Sequence, residues 1–398
     1  MTSNQTWNQH IVKKENKSLV LETIKDGYPI SRAEIANQTG LNKGTVSSLV
    51  NELIEEQLIF ESGPGESSGG RRPVMLLFNQ VTGYAIGIDV GVNYILGVLT
   101  DLQGEIFTER LVKYHDLPYE DILEKIMSMI DELMASAPAS PYGIVGIGIG
   151  VPGVVNNEGK ILLAPNLGWT NIDLKTQIED KYGVPVIIEN EANAGAYGEK
   201  KLGAGRNYEN IIYVSVGIGI GVGLILNGRL YKGVNGFAGE LGHMTIVDGG
   251  AKCRCGNEGC WELYASEQAL VDNAKHLGLK LSLSDELTLE DLNELACKGD
   301  ASAIKLFDQI GYYLGIGINN IINIFNPEQV IIGNRLASSE VWVNKGLSKS
   351  LEGRTLWFNQ QNFHVTFSNL STHSSALGAA VFAIEAFFEN IQNVTLSV

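Results

Sequence analysis

The chain has 398 residues, 44% of them hydrophobic, enough for two or three domains with full cores. Its four cysteines and its polar start at Asn4, Gln5, Asn8 and Gln9 argue against a secretory leader, and its apolar runs are broken short of membrane-spanning length, so a cytoplasmic protein with no membrane partner is expected. The net charge of −16 argues against nucleic acid, but residues 1–80 hold 8 Lys and Arg against 9 Asp and Glu, and the rest hold 21 against 36. Acidic repulsion is screened beyond about 8 Å at physiological salt, so a near-neutral head can still meet DNA.

Ile11, Leu19, Val20 and Ile24 predict a first helix over 11–25, ending at Asp26-Gly27. Ser31-Arg32-Ala33-Glu34 is a capping box opening a short helix that stops at Gly40. Asn42 caps a longer helix whose Val46, Leu49, Val50, Leu53 and Ile54 share a face. Ala36, Gly40 and Val46 have helix-turn-helix spacing: a small residue at the crossing, glycine in the turn, an aliphatic in the second helix. The exposed start of that helix offers Asn42, Lys43, Gly44, Thr45, Ser47 and Ser48 to base edges and phosphates, with Ser31 and Arg32 flanking. Strands at Leu58–Phe60 and Val74–Phe78 enclose a Gly-rich tip ending in Arg71-Arg72, a wing suited to a minor groove. A helical hairpin that binds protein is the alternative; the capping box, the spacing and the arginines favour double-stranded DNA.

From residue 80 the pattern is α/β. Tyr84 to Val90 reads as a buried strand running into Gly91, followed by strands at 95–99 and 106–112, a helix at 119–135 and the strand Val145 to Val151. A helix near 172–182 and a strand over 184–188 lead to Glu189-Asn190-Glu191, with a helix starting at the strand's tip. Polar residues there sit where open α/β sheets bind ligands. The pattern repeats from Ile211: a strand to Val216, the turn Gly217-Ile218-Gly219, and a strand to Leu226. Helices at 266–277, 289–297 and 301–323, a strand at Val330–Ile332 and a small-residue helix at 376–388 follow. The two halves predict a duplicated α/β unit with a cleft between lobes.

One stretch interrupts the second half. His243, Cys253, Cys255 and Cys260 supply one imidazole and three thiolates, the closed tetrahedral set of a structural zinc, with Gly256 and Gly259 allowing tight turns. A ligating imidazole keeps its second nitrogen for another partner. His243, with Glu240 and Glu262 as acceptors, is therefore expected to grip a sugar's hydroxyls. The bland alternative, that both glutamates are solvated, weighs more for Glu262 beside Trp261.

On the Ser68-Gly69-Gly70-Arg71-Arg72-Pro73 run, the Glu189–Gly198 segment and the Cys253-x-Cys255-Gly-x-x-Gly-Cys260-x-Glu262 knot, the whole chain resembles the ROK family of repressors and sugar kinases. The resemblance implies a winged helix-turn-helix followed by a duplicated, actin-like (ribonuclease-H-like) sugar-kinase-type body. It assigns zinc to His243, Cys253, Cys255 and Cys260, and a monosaccharide to Asn166, Asn190, Glu191, Glu240, His243 and Glu262. Family kinases carry an aspartate base where Glu191 stands, a hydroxyl where Ile218 stands, glycine and threonine at Val92-Asn93, and glycine at Asn334. These departures imply a non-enzyme: a repressor of xylose-utilisation genes, released by xylose, binding a palindromic operator as a homodimer or dimer of dimers through the large lobe. Expected boundaries are 1–79 for the head, 80–196 with 378–398 for the small lobe, and 197–377 for the large lobe. A sugar kinase with a DNA-binding head, or a repressor removed by a protein partner, are the competing readings.

Overall fold

The computed structural model describes residues 9–64, 73–280, 287–356 and 363–394. The head comprises α1 (Gln9–Gly27), β1 (Ile30–Ser31), α2 (Arg32–Thr39), α3 (Lys43–Glu55), β2 (Ile59–Pro64) and β3 (Val74–Phe78). Ser31 caps α2 and Glu34 returns the contact to the Ser31 backbone, completing the expected capping box. Gly40 then ends the helix in the left-handed region at φ 71°, where glycine pays no steric penalty. Ile35, Ala36, Val46, Leu49, Val50 and Leu53 are buried between the helices. β1 pairs with β3, and β3 with β2, so the wing is a three-stranded sheet. The two-residue β1 was not foreseen, because such a segment carries no periodicity.

The body opens with β4 (Tyr84–Val90), β5 (Tyr94–Asp101), β6 (Ile106–Lys113), α4 (Tyr119–Ser136) and β7 (Ile144–Val151). Next come β8 (Val154–Val155), β9 (Ile161–Ala164), β10 (Trp169–Ile172), α5 (Leu174–Tyr182), β11 (Val186–Asn190) and α6 (Glu191–Lys201). The second half holds β12 (Ile211–Val216), β13 (Ile220–Leu226), β14 (Arg229–Leu230), α7 (Glu262–Ala265), α8 (Glu267–His276), α9 (Leu289–Cys297) and α10 (Ala301–Phe325). β15 (Gln329–Gly333), α11 (Glu340–Arg354), β16 (His364–Phe367) and α12 (Ser374–Val394) complete the chain.

The duplication is legible in the sheets. The first runs β11-β7-β4-β5-β6 and the second, from its matching edge, β16-β15-β12-β13-β14. In each, the first three strands pair in parallel and the last three antiparallel. Helix α4 buries Ile126, Ile130 and Leu133 against the first sheet; Trp261, Phe307, Leu314 and Ile318 build the core of the second.

One expectation needs correction. The strand expected over 184–188 lies two residues later, because parallel pairing with β7 extends to Asn190 opposite Val151. Among the described residues, Ser371–Ile391 is long and apolar enough to cross a membrane by length and composition, although Gly378, Glu385 and Glu389 interrupt its apolar runs as expected. Half of that stretch is buried, and α12 packs on β4, β7 and α6, which accounts for its apolar character as a core helix.

Candidate functional site

In the head, Asn42, Lys43, Gly44 and Ser48 are exposed at the start of α3, and Thr45 and Ser47 are half-buried beside them. Asn42 Oδ1 accepts from the Thr45 N–H at 2.8 Å, which fixes the helix start and directs this polar edge outward. Ser31 behaves differently from the expected DNA contact. It is 4% exposed and its hydroxyl is held by Glu34, so its work is capping. Arg32 donates to Glu61 Oε1 at 2.8 Å and to Asn51 Oδ1 at 3.1 Å, tying α2 to α3 and the wing strand. Arg71 and Arg72 lie outside the described residues.

The knot follows Leu241–His243, a single 3-10 turn that presents His243. Gly256 and Gly259 adopt φ of 94° and 71°, and short bridges pair Thr245 with Cys260 and Lys252 with Glu258, folding the loop back on itself. His243, Cys253, Cys255 and Cys260 bring four ligand atoms within 4.8 Å of one another and could hold a metal ion. Cys253 Sγ stands 3.6 Å from His243 Nδ1, and Cys255 Sγ 3.7 Å from Cys260 Sγ. Zinc–ligand distances of about 2.0–2.3 Å give tetrahedral edges of about 3.4–3.8 Å, so the spacing suits that ion. Burial raises the Cys253 and Cys260 thiols, a cost that a bound cation would offset by stabilising the thiolates.

Glu262, at the start of α7, closes onto the knot: its Oε1 lies 3.2 Å from Cys253 Sγ and 3.3 Å from His243 Nδ1. Trp261, fully buried and donating to the Tyr313 carbonyl at 3.0 Å, anchors it. A Cβ on Gly219 would meet Glu262 Oε2 at 2.8 Å, and one on Gly221 would meet Ala192 at 2.9 Å. The Gly217–Gly221 turn is thus a close-fitting floor between the knot and the start of α6. Glu240 remains exposed; desolvation by its neighbours raises its carboxyl, His243 opposes this and Glu262 adds to it, which groups the two acids and the imidazole in one field.

On the opposite lobe, Asn190 caps α6 by accepting from Ala192 and Asn193, and donates to the Gly153 carbonyl at 2.8 Å. Among the described residues, Gly153 is the one acceptor of the Asn190 side-chain amide. Glu191 has partial solvent access, yet desolvation and then the Asp89 charge push its carboxyl up to about 8. Asp89 is buried and is pushed up to about 6 by desolvation, opposed by hydrogen bonds from Tyr94 (2.6 Å) and Ser375 (2.8 Å). Ser215 donates to Glu191 at 3.4 Å and accepts from Asn334 at 3.0 Å, so a polar thread crosses from the first lobe to the second.

Sequence reasoning did not single out Lys232 and Arg254, two basic residues that also join the lobes. Lys232 Nζ pairs with the buried Glu189 at 2.9 Å. Arg254, between Cys253 and Cys255 of the knot, donates to the exposed Asn166 at 3.5 Å. Its place inside Cys-x-Cys was the available signal. Tyr94 covers the first Gly turn, its ring 2.2 Å from where a Gly91 Cβ would lie, and the Asn334 amide is 3.2 Å from where a Gly217 Cβ would lie. Both side chains crowd the glycine turns that follow β4 and β12.

A winged helix-turn-helix on a duplicated, two-lobed body defines a DNA-binding protein built on the sugar-kinase-type fold. The sequence profile of the ROK family matches residues 85–386 and that of winged helix-turn-helix DNA-binding proteins matches 14–59. The chain belongs to the ROK family. It is 48% identical over 383 residues to the Xylose repressor of Bacillus subtilis, covering 96% of this chain and 98% of that protein. Among solved structures, a ROK family transcriptional regulator described as a homolog of E. coli MLC aligns with TM-score 0.81 and 29% identity over 97% of this chain and 99% of that one. A ROK family glucokinase from Streptomyces griseus, in complex with glucose and AMPPNP, aligns with TM-score 0.70 and 30% identity over 76% of this chain and 100% of that one.

Proposed function

We propose that the chain is a cytoplasmic, sugar-released transcriptional repressor of xylose-utilisation genes. A homodimer, or a dimer of dimers, joined through the large lobe sets two heads on a palindromic operator. Xylose enters the cleft between a small lobe (80–196 with 378–398) and a large lobe (197–377) and releases the head (1–79) from DNA. The sugar contacts Asn166, Asn190, Glu191, Glu240, His243 and Glu262. Asn42, Lys43, Gly44, Thr45, Ser47 and Ser48 approach the operator, with Arg32, Arg71 and Arg72 on its backbone. Zinc held by His243, Cys253, Cys255 and Cys260 would brace the loop and withdraw charge from the imidazole. His243 then offers its second nitrogen to a sugar hydroxyl, and Glu262 accepts one.

The observation that carries this reading is one of conflict within a single cleft. Glu191, Glu240 and Glu262 are retained as hydroxyl acceptors, while Tyr94 crowds Gly91 and Asn334 crowds Gly217, which supports a cleft that takes a sugar and not a nucleotide. Glu191 extends one methylene further than an aspartate base, and misplacement by about 1 Å can cost about a hundredfold in rate. The high identity to the Bacillus repressor supports xylose as the effector. A gel shift on a duplex selected by the protein from random DNA tests it. Xylose is expected to free the duplex; retention at saturating xylose, or sugar phosphate formed from ATP and magnesium, rejects it.

A further inference from the structure

Helix α12 belongs at once to the cleft and to the head. At its start, Ser375 donates to Asp89 beside Glu191, and Ser374 donates to the buried Glu199 of α6 at 2.7 Å. In its middle, α6 and α12 approach as closely as backbones allow. A Cβ on Gly378 would lie 1.7 Å from the Ala194 carbonyl oxygen, and one on Gly198 would lie 2.3 Å from that of Ser374. Further along, Tyr197 stacks on Phe382 with centroids 4.4 Å apart, its hydroxyl donates to Glu385 at 2.5 Å, and Lys201 pairs with Glu385 at 2.7 Å. Near its end, Phe388 packs against Phe78 of the wing, with the Lys25 ammonium of α1 4.5 Å above its ring. Ala380, Ala383, Ile384 and Phe388 share one apolar cluster with Val20, Ile24 and Leu76 of the head. Tyr142 extends the contact, stacking edge-on with Phe387 and donating to the Glu56 carbonyl at the end of α3.

The arrangement has a mechanical consequence. α6 begins at Asn190 and Glu191, two of the residues proposed to hold the sugar, and it is eleven residues long. Two helices in backbone contact, locked by a stacked pair and two polar contacts, cannot slide independently, because close-packed interfaces shift between discrete arrangements. Any displacement of α6 by a ligand therefore moves α12, and α12 ends inside the core of the head.

We propose that Tyr197, Glu385 and Phe388 are coupling residues through which α6 and α12, moving as one body, carry the state of the cleft to the winged head. The inference rests on the sugar-released repressor reading. Among the described residues, the polar and ring contacts of the three run to Phe382, Lys201, Phe387, Phe78 and Lys25 and to one another, and not to the proposed sugar residues or the exposed edge of α3.

Full-length wild type, Tyr197→Phe with Glu385→Gln, and Phe388→Leu are compared by three measurements. These are xylose affinity by calorimetry without DNA, operator affinity without sugar, and the ratio of operator affinities without and with saturating xylose. Both variants are expected to keep the two separate affinities within about twofold and to lose about twofold to thirtyfold of the ratio. An unchanged ratio in both variants overturns the assignment, as does loss of either separate affinity matching the loss in ratio, which marks a merely structural role. Wild type that binds no sugar, or binds it and keeps the operator, overturns the repressor reading instead.

Discussion

Cys253 Sγ and His243 Nδ1 stand 3.6 Å apart, the separation of two ligands sharing one tetrahedral centre. The same imidazole belongs to the proposed sugar site, so metal loss should be felt twice. Cys255→Ala is expected to lower bound zinc below one equivalent per chain, to reduce the melting temperature, and to weaken xylose binding by about tenfold or more. Elemental analysis and calorimetry on the same preparation check this. A metal-free variant with wild-type sugar affinity would separate the knot from the sugar.

Lys43 is exposed at the first position of α3, where its ammonium can meet a phosphate. Lys43→Ala should weaken binding to every duplex alike and reduce the slope of log affinity against log salt by about 0.9. Arg71→Ala with Arg72→Ala should lower that slope by about twice as much. A slope unchanged in both variants removes these cations from the interface.

Asp89 and Glu191 are both held above ordinary carboxyl values, so their protonated forms favour the fold. That contribution is complete below about pH 4 and is lost as pH rises through about 6 for Asp89 and about 8 for Glu191. Glu191→Gln keeps the shape and cannot ionise. Urea midpoints followed from pH 5 to 9 should lie closest for variant and wild type at the acid end, with the variant's advantage growing as pH rises and levelling off above about pH 8. Parallel curves across the range contradict this.

Gly317 of α10 lies under the indole that anchors Glu262; a Cβ there would sit 2.0 Å from the Trp261 ring. Gly317→Ala should destabilise the protein by about 1–3 kcal/mol through overpacking. Because Trp261 precedes Glu262, sugar affinity should fall as well. Unchanged stability in denaturant would mean the indole has room to move.

Much of this was legible in the sequence because the signals are local. The Ser31–Glu34 capping box, Gly40, the two strand–glycine-turn halves and the cysteine spacing each state their geometry within a few residues. β8 to β10 were not foreseen, nor were α11 and β16. α11 has only four buried residues among fifteen and a glycine in its middle, and β16 is a four-residue strand with one exposed and three half-buried residues. Neither displays a strong period. The contacts across the cleft, Lys232 with Glu189 and Arg254 with Asn166, join residues 43 and 88 positions apart. α12 reads as a small-residue helix, and that pattern alone does not say what it packs against. That its far end closes the core of the head, more than 300 residues away, is set by tertiary structure alone.

Linkage gives the most direct test of a cleft that governs the head. If xylose weakens operator binding by some factor, the operator must weaken xylose binding by the same factor. Calorimetric titration of xylose into the full-length protein, alone and saturated with operator duplex, measures it. The expected result is a weaker xylose affinity on DNA, by the factor seen in operator release. Equal xylose affinity in both titrations, or no heat with xylose in either, would contradict a sugar-released repressor.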